Sequence, residues 1–322
     1  MSNSVHSTIG ITLLALLALV MGRPAHAFPE RPVTLVVPFA AGGPADLIGR
    51  KLGETLSKTL GQRVIIENVT GAGGTIGSAR VMNAPPDGYT MLLGHIGTHG
   101  AAPALYNNLS YDPAKDFTPV AMIGSTPMVL LVKKSEDKNT LASFRELAKS
   151  KGDRLTFSHG GVGSISHLAC TMLLSDLGIK ATPVGYRGNG PALQDLIAGQ
   201  VDFMCDAVST ARPHIESGAV KPVMMLSNPT SGTLPAPAAK DAGSNIDVVA
   251  WYALFLPKNV DEKVRGQIEK ALSDALDNPD LRSALEQTGT TTSAKDQRQT
   301  DYVRQFVGSE VDRWKKVLPK VQ

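Results

Sequence analysis

Two glycine-rich segments carry the residue types that hold an anion through the main chain. One runs Pro38-Phe39-Ala40-Ala41-Gly42-Gly43-Pro44-Ala45-Asp46, the other Ser158-His159-Gly160-Gly161-Val162-Gly163-Ser164-Ile165-Ser166-His167. Each follows a short apolar run and opens an amphipathic one, which predicts a strand-to-helix turn. At such a turn glycines admit a ligand close to the backbone, and the unpaired N–H groups and dipole of the helix start favour negative charge. Ser164 and Ser166 add hydroxyls and double as N-caps. One helix terminus contributes ~0.3–1 kcal/mol toward a charge and each hydrogen bond to a charged group ~1.5–3 kcal/mol. Two such loops facing each other reach the ~8 kcal/mol of micromolar binding with no arginine clamp. Either loop alone is more simply an ordinary capped turn; one in each half of the chain shifts the reading toward binding.

Other chemistries fit less well. Gly161-x-Gly163-x-x-Ser166 misses the third glycine of a dinucleotide loop, Gly71-Ala72-Gly73-Gly74-Thr75-Ile76-Gly77 has none at the sixth place, and no Gly-Lys-Ser/Thr occurs. His95 and His99 are four apart, but Ile-Gly-Thr between them lacks the glutamate of a zinc helix and its glycine argues against a helix, so no metal site is expected. His159 precedes two glycines as in an esterase oxyanion loop, yet no G-x-S-x-G elbow exists. His167 reads as structural. Asp206 ends a predicted strand, where it either accepts a bond from a ligand or caps the next helix; Asp46 caps its own. Cys170 and Cys205 are the two cysteines. Spacing does not establish a disulfide, and we read them as small buried hydrophobes.

The elements that must position these loops alternate. Predicted strands at Thr34–Phe39, Arg63–Asn68 and Tyr89–Leu93 are separated by helices through Leu47–Leu60 and Thr75–Asn83. A second round has strands at Leu155–Ser158, Thr182–Tyr186, Val201–Cys205 and Val220–Leu226, with helices at Ser166–Leu177, Pro191–Ala198 and Thr210–Ser217. This rhythm predicts an α/β fold with parallel sheets flanked by helices, in two lobes joined by extended crossovers at Ile123–Val132 and Leu226–Pro237. Helices follow at Val260–Leu276 and Leu281–Gln287, and a last one places Tyr302, Phe306, Trp314 and Val317 on an apolar stripe against the first lobe.

With 322 residues the chain has room for two cores. Ile9–Met21 is apolar but short of a membrane span of ~20 residues, and Ala25-His26-Ala27 supplies a cleavage pattern. Residues 1–27 therefore read as an export signal, with the mature chain starting at Phe28. Its loss removes one Arg and no acid from a chain of net charge +3, leaving 31 basic against 29 acidic residues. That spread excludes a nucleic-acid surface, which needs clustered Lys and Arg.

The ordered motifs resemble a known family. Pro38-Phe39-x-x-Gly42-Gly43-x-x-Asp46, Glu67-Asn68 before Gly71-Ala72-Gly73-Gly74-x-x-Gly77, Pro86-Asp87-Gly88-Tyr89-Thr90-Met91-Leu92-Leu93-Gly94 and Tyr111-Asp112-Pro113-x-x-Asp116-Phe117 are similar to the Bug proteins. Gly163-Ser164-x-Ser166-His167, Val184-x-Tyr186-x-Gly188-x-Gly190-Pro191-Ala192, Gly199-Gln200-Val201-Asp202 and Trp251-Tyr252-x-Leu254-Phe255 continue the match over nearly all of the mature chain. These are periplasmic receptors of tripartite tricarboxylate transporters. The resemblance implies a two-lobed periplasmic-binding fold of type II with a ligand cleft between lobes, residues 28–125 and 227–322 forming one and 126–226 the other. It implies a ligand carboxylate held by Phe39, Ala40, Gly43 and Asp46 with His95, Thr98 and His99. Across the cleft stand Ser158, Gly160, Gly163, Ser164 and Ser166, with Asp206 and Ala207 beside them. The chain departs from the family pattern at Pro44 and in the glycine-rich stretch with His159.

The expected function is capture of a small carboxylate, a dicarboxylate favoured, for the membrane permease subunits of such a transporter. No cofactor is expected, and the mature protein is expected to be a periplasmic monomer and not an enzyme. The alternatives are an exported enzyme acting on a carboxylate in the same cleft and a receptor presenting its ligand to a sensor kinase.

Overall fold

Apolar runs become strands and amphipathic runs become helices in the predicted order, with elements the sequence reading left unassigned between them, the helix Leu141–Lys151 and the strand Val249–Pro257 among these. The computed structural model describes residues 28–136, 139–228 and 234–318. The expected export signal at 1–27 and residues 229–233 of the expected second crossover lie outside the described residues.

β1 (Val33–Val37), α1 (Pro44–Leu60), β2 (Val64–Asn68), α2 (Thr75–Met82) and β3 (Thr90–His95) make the first round. A π-helical turn (Ile96–Ala101) and a short α3 (Ala102–Leu105) lead to the long β4 (Phe117–Lys133). Then come α4 (Leu141–Lys151), β5 (Thr156–His159), α5 (Ile165–Leu177), β6 (Thr182–Gly185), α6 (Asn189–Ile197), β7 (Phe203–Ala207), α7 (Val208–Glu216) and β8 (Val220–Met225). The chain returns through β9 (Val249–Pro257), α8 (Glu262–Asp277), α9 (Pro279–Glu286), the two-residue β10 (Thr291–Thr292) and α10 (Thr300–Val317).

The strands divide into two sheets that share β4. In the first the order is β2-β1-β3-β9-β4; in the second β4 pairs with β7 and β8, and β7 continues to β5 and β6. Pro127 closes the β9 ladder and Met128 opens the β7 ladder. A residue with no N–H to donate suits that handover. The sheets are mixed and not parallel throughout. β1 with β2 and β3, and β5 with β6 and β7, are parallel, but β9 and β4 run antiparallel to their neighbours. Parallel pairing needs a helical crossover, whereas β4 is itself the first interlobe crossover and β9 is entered from the second. β9, unassigned in the sequence reading, is a nearly unbroken apolar run buried on both faces.

In the first lobe Ile48, Leu52 and Leu56 of α1 share the core with Leu35, Met91 and Leu93. In the second, alternate residues of β4 serve opposite faces: Leu130 and Val132 share a cluster with Phe157 and Phe203, Val129 and Leu131 one with Leu193 and Leu196. The buried stripe of α10 is Val303, Val307, Glu310 and Trp314, so Tyr302, Phe306 and Val317 flank it half-buried. Glu310 lies inward because its Oε2 accepts from the indole N–H groups of Trp251 (2.8 Å) and Trp314 (3.3 Å).

Cys170 and Cys205 are joined in a disulfide, which corrects their reading as unpaired hydrophobes. Packing α5 on β7 brings their Cα atoms to 5.3 Å, a proximity that 35 residues of sequence separation conceal.

Candidate ligand-binding site

A cavity of 630 Å³ lies between the lobes, within the range of small-molecule sites. Four helices begin at its wall. Gly43, Pro44 and Ala45 start α1, Gly74 precedes α2, Ser164 and Ile165 start α5, and Gly188 and Asn189 start α6. Two of these helices belong to each lobe, so the positive ends of four dipoles meet at one space. No Asp or Glu is among the lining residues, whereas Arg187 is.

The first loop is held from behind. Asp46 accepts from Gly42 N–H (2.9 Å), Arg50 Nε (2.8 Å) and Asn68 Nδ2 (2.9 Å), and the same Asn68 nitrogen donates to Phe39 O (3.0 Å). Burial alone would raise the Asp46 pKa, but the bonds from Arg50, Gly42 and Asn68 outweigh it and hold the carboxyl below its ordinary value. Asp46 thus fixes the loop and does not line the cavity.

His95 ends β3 and lines the cavity with its ring stacked on Phe39, centroids 4.1 Å apart. Gly97 N–H donates to His95 Nδ1 (2.6 Å), and His95 N–H donates to Thr98 Oγ1 (3.1 Å). This reciprocal cap overrides the glycine and closes a π-helical turn where no helix was expected. Burial pushes the pKa of His95 down to about 3, so the ring is neutral and its proton sits on Nε2. His99, behind it, stacks on Phe255 with centroids 3.9 Å apart; burial and then the neighbouring His95 push its pKa down to about 3.

A buried polar chain ties the second lobe's helix starts together. Gly160 N–H donates to Ser166 Oγ (3.0 Å), which lies 3.0 Å from Ser164 Oγ and donates to Asn189 Oδ1 (3.2 Å). Asn189 Nδ2 donates to Asp206 Oδ1 (2.5 Å), and Thr210 Oγ1 to Asp206 Oδ2 (2.6 Å). Burial raises the Asp206 pKa to about 6, against the lowering effect of Thr210, Asn189 and the Ala207 N–H. Asp206 therefore braces the starts of α6 and α7 through the side chains of Asn189 and Thr210, and it is the N-cap of neither helix.

Of the residues singled out from the sequence, Phe39, Ala40, Gly43, His95, Gly160 and Ser164 line the cavity. Asp46, Thr98, His99, Ser158, Ser166, Asp206 and Ala207 are buried outside that lining. Gly163 lies at the seam between lobes, where Gly73 faces it and Tyr106 Oη donates to Val162 O (3.1 Å). Sequence reasoning missed the 70–74 loop as a wall, along with Tyr106, Tyr186, Arg187, Asn189 and Tyr252. The Gly71-Ala72-Gly73-Gly74 motif was a usable signal for the first, and Tyr186 and Tyr252 stand in two of the motifs shared with the Bug proteins; Arg187 and Asn189 fall at unspecified positions of one of those motifs. The expectation of a pocket without arginine is overturned by Arg187, which the β6–α6 loop brings to the wall. Among the described residues no three His, Cys, Asp or Glu side chains group as a metal site, and no helix is long and apolar enough to cross a membrane.

Known proteins share this architecture. The model of the tripartite tricarboxylate transporter family receptor matches residues 48–322. MatC from Rhodopseudomonas palustris, solved with bound malate, is 42% identical with a TM-score of 0.86, aligned over 90% of this chain and 99% of its own. The periplasmic binding protein BugD is 34% identical with a TM-score of 0.87, over 91% of this chain and 98% of its own. Rpa4515 of R. palustris, solved with adipate, is 29% identical with a TM-score of 0.86, over 91% and 98%. The family match covers most of the sequence and the structural likeness extends over both lobes, so the chain belongs to the tripartite tricarboxylate transporter receptor family, the Bug-type periplasmic solute-binding proteins.

Proposed function

We propose that the protein captures a small carboxylate, a dicarboxylate favoured, in the periplasm and delivers it to the permease subunits of a tripartite tricarboxylate transporter. One observation carries this reading: four helix N-termini from opposite lobes open on one cavity whose lining holds no acidic side chain. An anion is the guest that such a wall stabilises. MatC with malate and Rpa4515 with adipate, alike in fold over 90% and 91% of this chain, support a dicarboxylate. The Cys170–Cys205 disulfide suits an oxidising compartment.

The cavity suits binding more than turnover. Thr98 Oγ1 lies 2.9 Å from His99 Nδ1, a hydroxyl–imidazole pair of the kind a hydrolase needs, yet both are fully buried and neither lines the cavity. Ser164 Oγ accepts from the His167 main-chain N–H and caps α5.

A thermal-shift screen of linear diacids, aromatic acids, amino acids and nicotinate tests the reading. A ligand at 100 times its Kd adds about 2.7 kcal/mol to stability, a clear rise in Tm. No shift from any carboxylate at millimolar concentration refutes the assignment, and consumption of the bound acid would move it to an enzyme.

A further inference from the structure

The Arg187 guanidinium has no hydrogen bond or ion pair to any described residue, although its main chain is pinned on both sides. On one side Tyr186 N–H donates to His159 O (2.9 Å) and Tyr186 Oη to Asp195 Oδ2 (2.5 Å). On the other, Gly188 stands at φ +114° against Ala40 of the opposite lobe, so close that a Cβ there would lie 2.9 Å from the Ala40 methyl. Asn189 is locked into the Ser166–Asp206 chain. A fixed backbone therefore holds a free cation at the wall of a cavity that contains no carboxylate to neutralise it.

Resting on the reading of the cavity as a carboxylate site, we propose that Arg187 pairs with a second carboxylate of the ligand and makes the receptor selective for dianions over monoanions. The helix starts at Gly43 and Gly74 are the seat of the first carboxylate. Phe39, Tyr106 and Tyr252 supply apolar wall for the spacer between the two charges. A guanidinium offers a planar fork that matches a carboxylate in two places, which an ammonium does not. Arg187 is exposed, so its side chain can swing toward a ligand and remains partly screened by water.

The test compares matched acids that differ by one carboxylate: adipate with hexanoate, succinate with butyrate, terephthalate with benzoate. Titration calorimetry on the wild-type protein, Arg187→Ala and Arg187→Lys gives the ratio of diacid to monoacid affinity. The wild type is expected to prefer the diacid of at least one pair. Arg187→Ala is expected to weaken that diacid about ten-fold and the matched monoacid less than two-fold, with Arg187→Lys between. The salt dependence of diacid binding should flatten in Arg187→Ala. An unchanged diacid affinity in Arg187→Ala, or equal losses for both members of the pair, overturns the role of Arg187 while leaving carboxylate capture intact. A wild-type protein that binds none of the six acids overturns both, and unchanged Tm values across the three proteins tie any loss to the guanidinium.

Discussion

Replacing Gly73 with alanine puts a methyl group where the two lobes meet. Gly73 has φ +63°, and a Cβ there would lie 2.5 Å from Tyr106 Oη and 2.6 Å from Val162 O. Two costs follow, and they act on different equilibria. The left-handed backbone costs an alanine ~1 kcal/mol whether the lobes are open or closed, so it lowers folding stability. The overlap with Val162 O exists only when the lobes close, and that oxygen is main chain, unable to swing aside; Tyr106 Oη shares the lobe of Gly73 and is the far end of a side chain that can move away. Ordinary contact begins near 3.4 Å, so the lobes must stay about 0.8 Å further apart at this point. A comparable shift carries the 3.1 Å bond from Tyr106 to Val162 O beyond hydrogen-bond reach. Losing that bond costs ~0.5–1.5 kcal/mol, equivalent to a two- to thirteen-fold loss of affinity, and the neighbouring approach of Gly188 to Ala40 loosens with it. We expect Kd to rise about ten-fold, mostly through faster release. Gly61→Ala is the control: φ is +70° there and nothing lies within 4 Å of the new methyl. Urea unfolding should show the same loss of ~1 kcal/mol in both variants, while calorimetry and solution scattering show weaker binding and incomplete ligand-induced compaction only in Gly73→Ala. Equal affinities in the two variants, with full compaction in both, would falsify the seam as the closure contact.

Two further outcomes concern stability. Replacing Cys170 and Cys205 together by alanine should lower the free energy of unfolding by about 3–4 kcal/mol, the loop-entropy value for the 35-residue separation; an unchanged urea midpoint with and without reductant would refute it. Acid should also destabilise the fold. His95 and His99 are held neutral with pKa values of about 3, below the 6.5 of a free imidazole, so their contribution is full above pH 6.5 and declines as the unfolded chain takes up protons below it. Each ring removes roughly 1.4 kcal/mol per pH unit in that window. Asp206, raised to about 6, acts the opposite way, because the folded state keeps its proton between about pH 4 and 6; one carboxyl does not offset two rings. Unfolding free energies at pH 5 should therefore fall below those at pH 7, with the slope in His99→Gln reduced by about one proton. A flat profile in the wild type contradicts the buried, neutral rings.

The alternation of strands and helices was readable along the chain because βα units announce themselves locally. Glycine and proline punctuate the turns, and the apolar period switches from two to 3.6 between them. The two anion-ready loops were legible for the same reason, since a strand, a glycine run and a capped helix are contiguous in sequence. β9 was not, because an unbroken apolar run carries no period by which to tell strand from helix. The π-helical turn after β3 was misjudged because glycine propensity was weighed without the His95–Thr98 cap that overrides it.

Which residues share the cavity is another matter. Arg187 and Asn189 come from the β6–α6 connection, Tyr106 from the segment after α3 and Tyr252 from β9, and only the closing of two lobes on each other puts them on one wall. The Cys170–Cys205 bond and the bracing role of Asp206 depend likewise on where α5, α6 and α7 begin relative to β7. Short-range chemistry in this chain fixes turns, caps and faces; distances between segments far apart in sequence are set by packing, and charge pairing across the cleft is a matter of those distances.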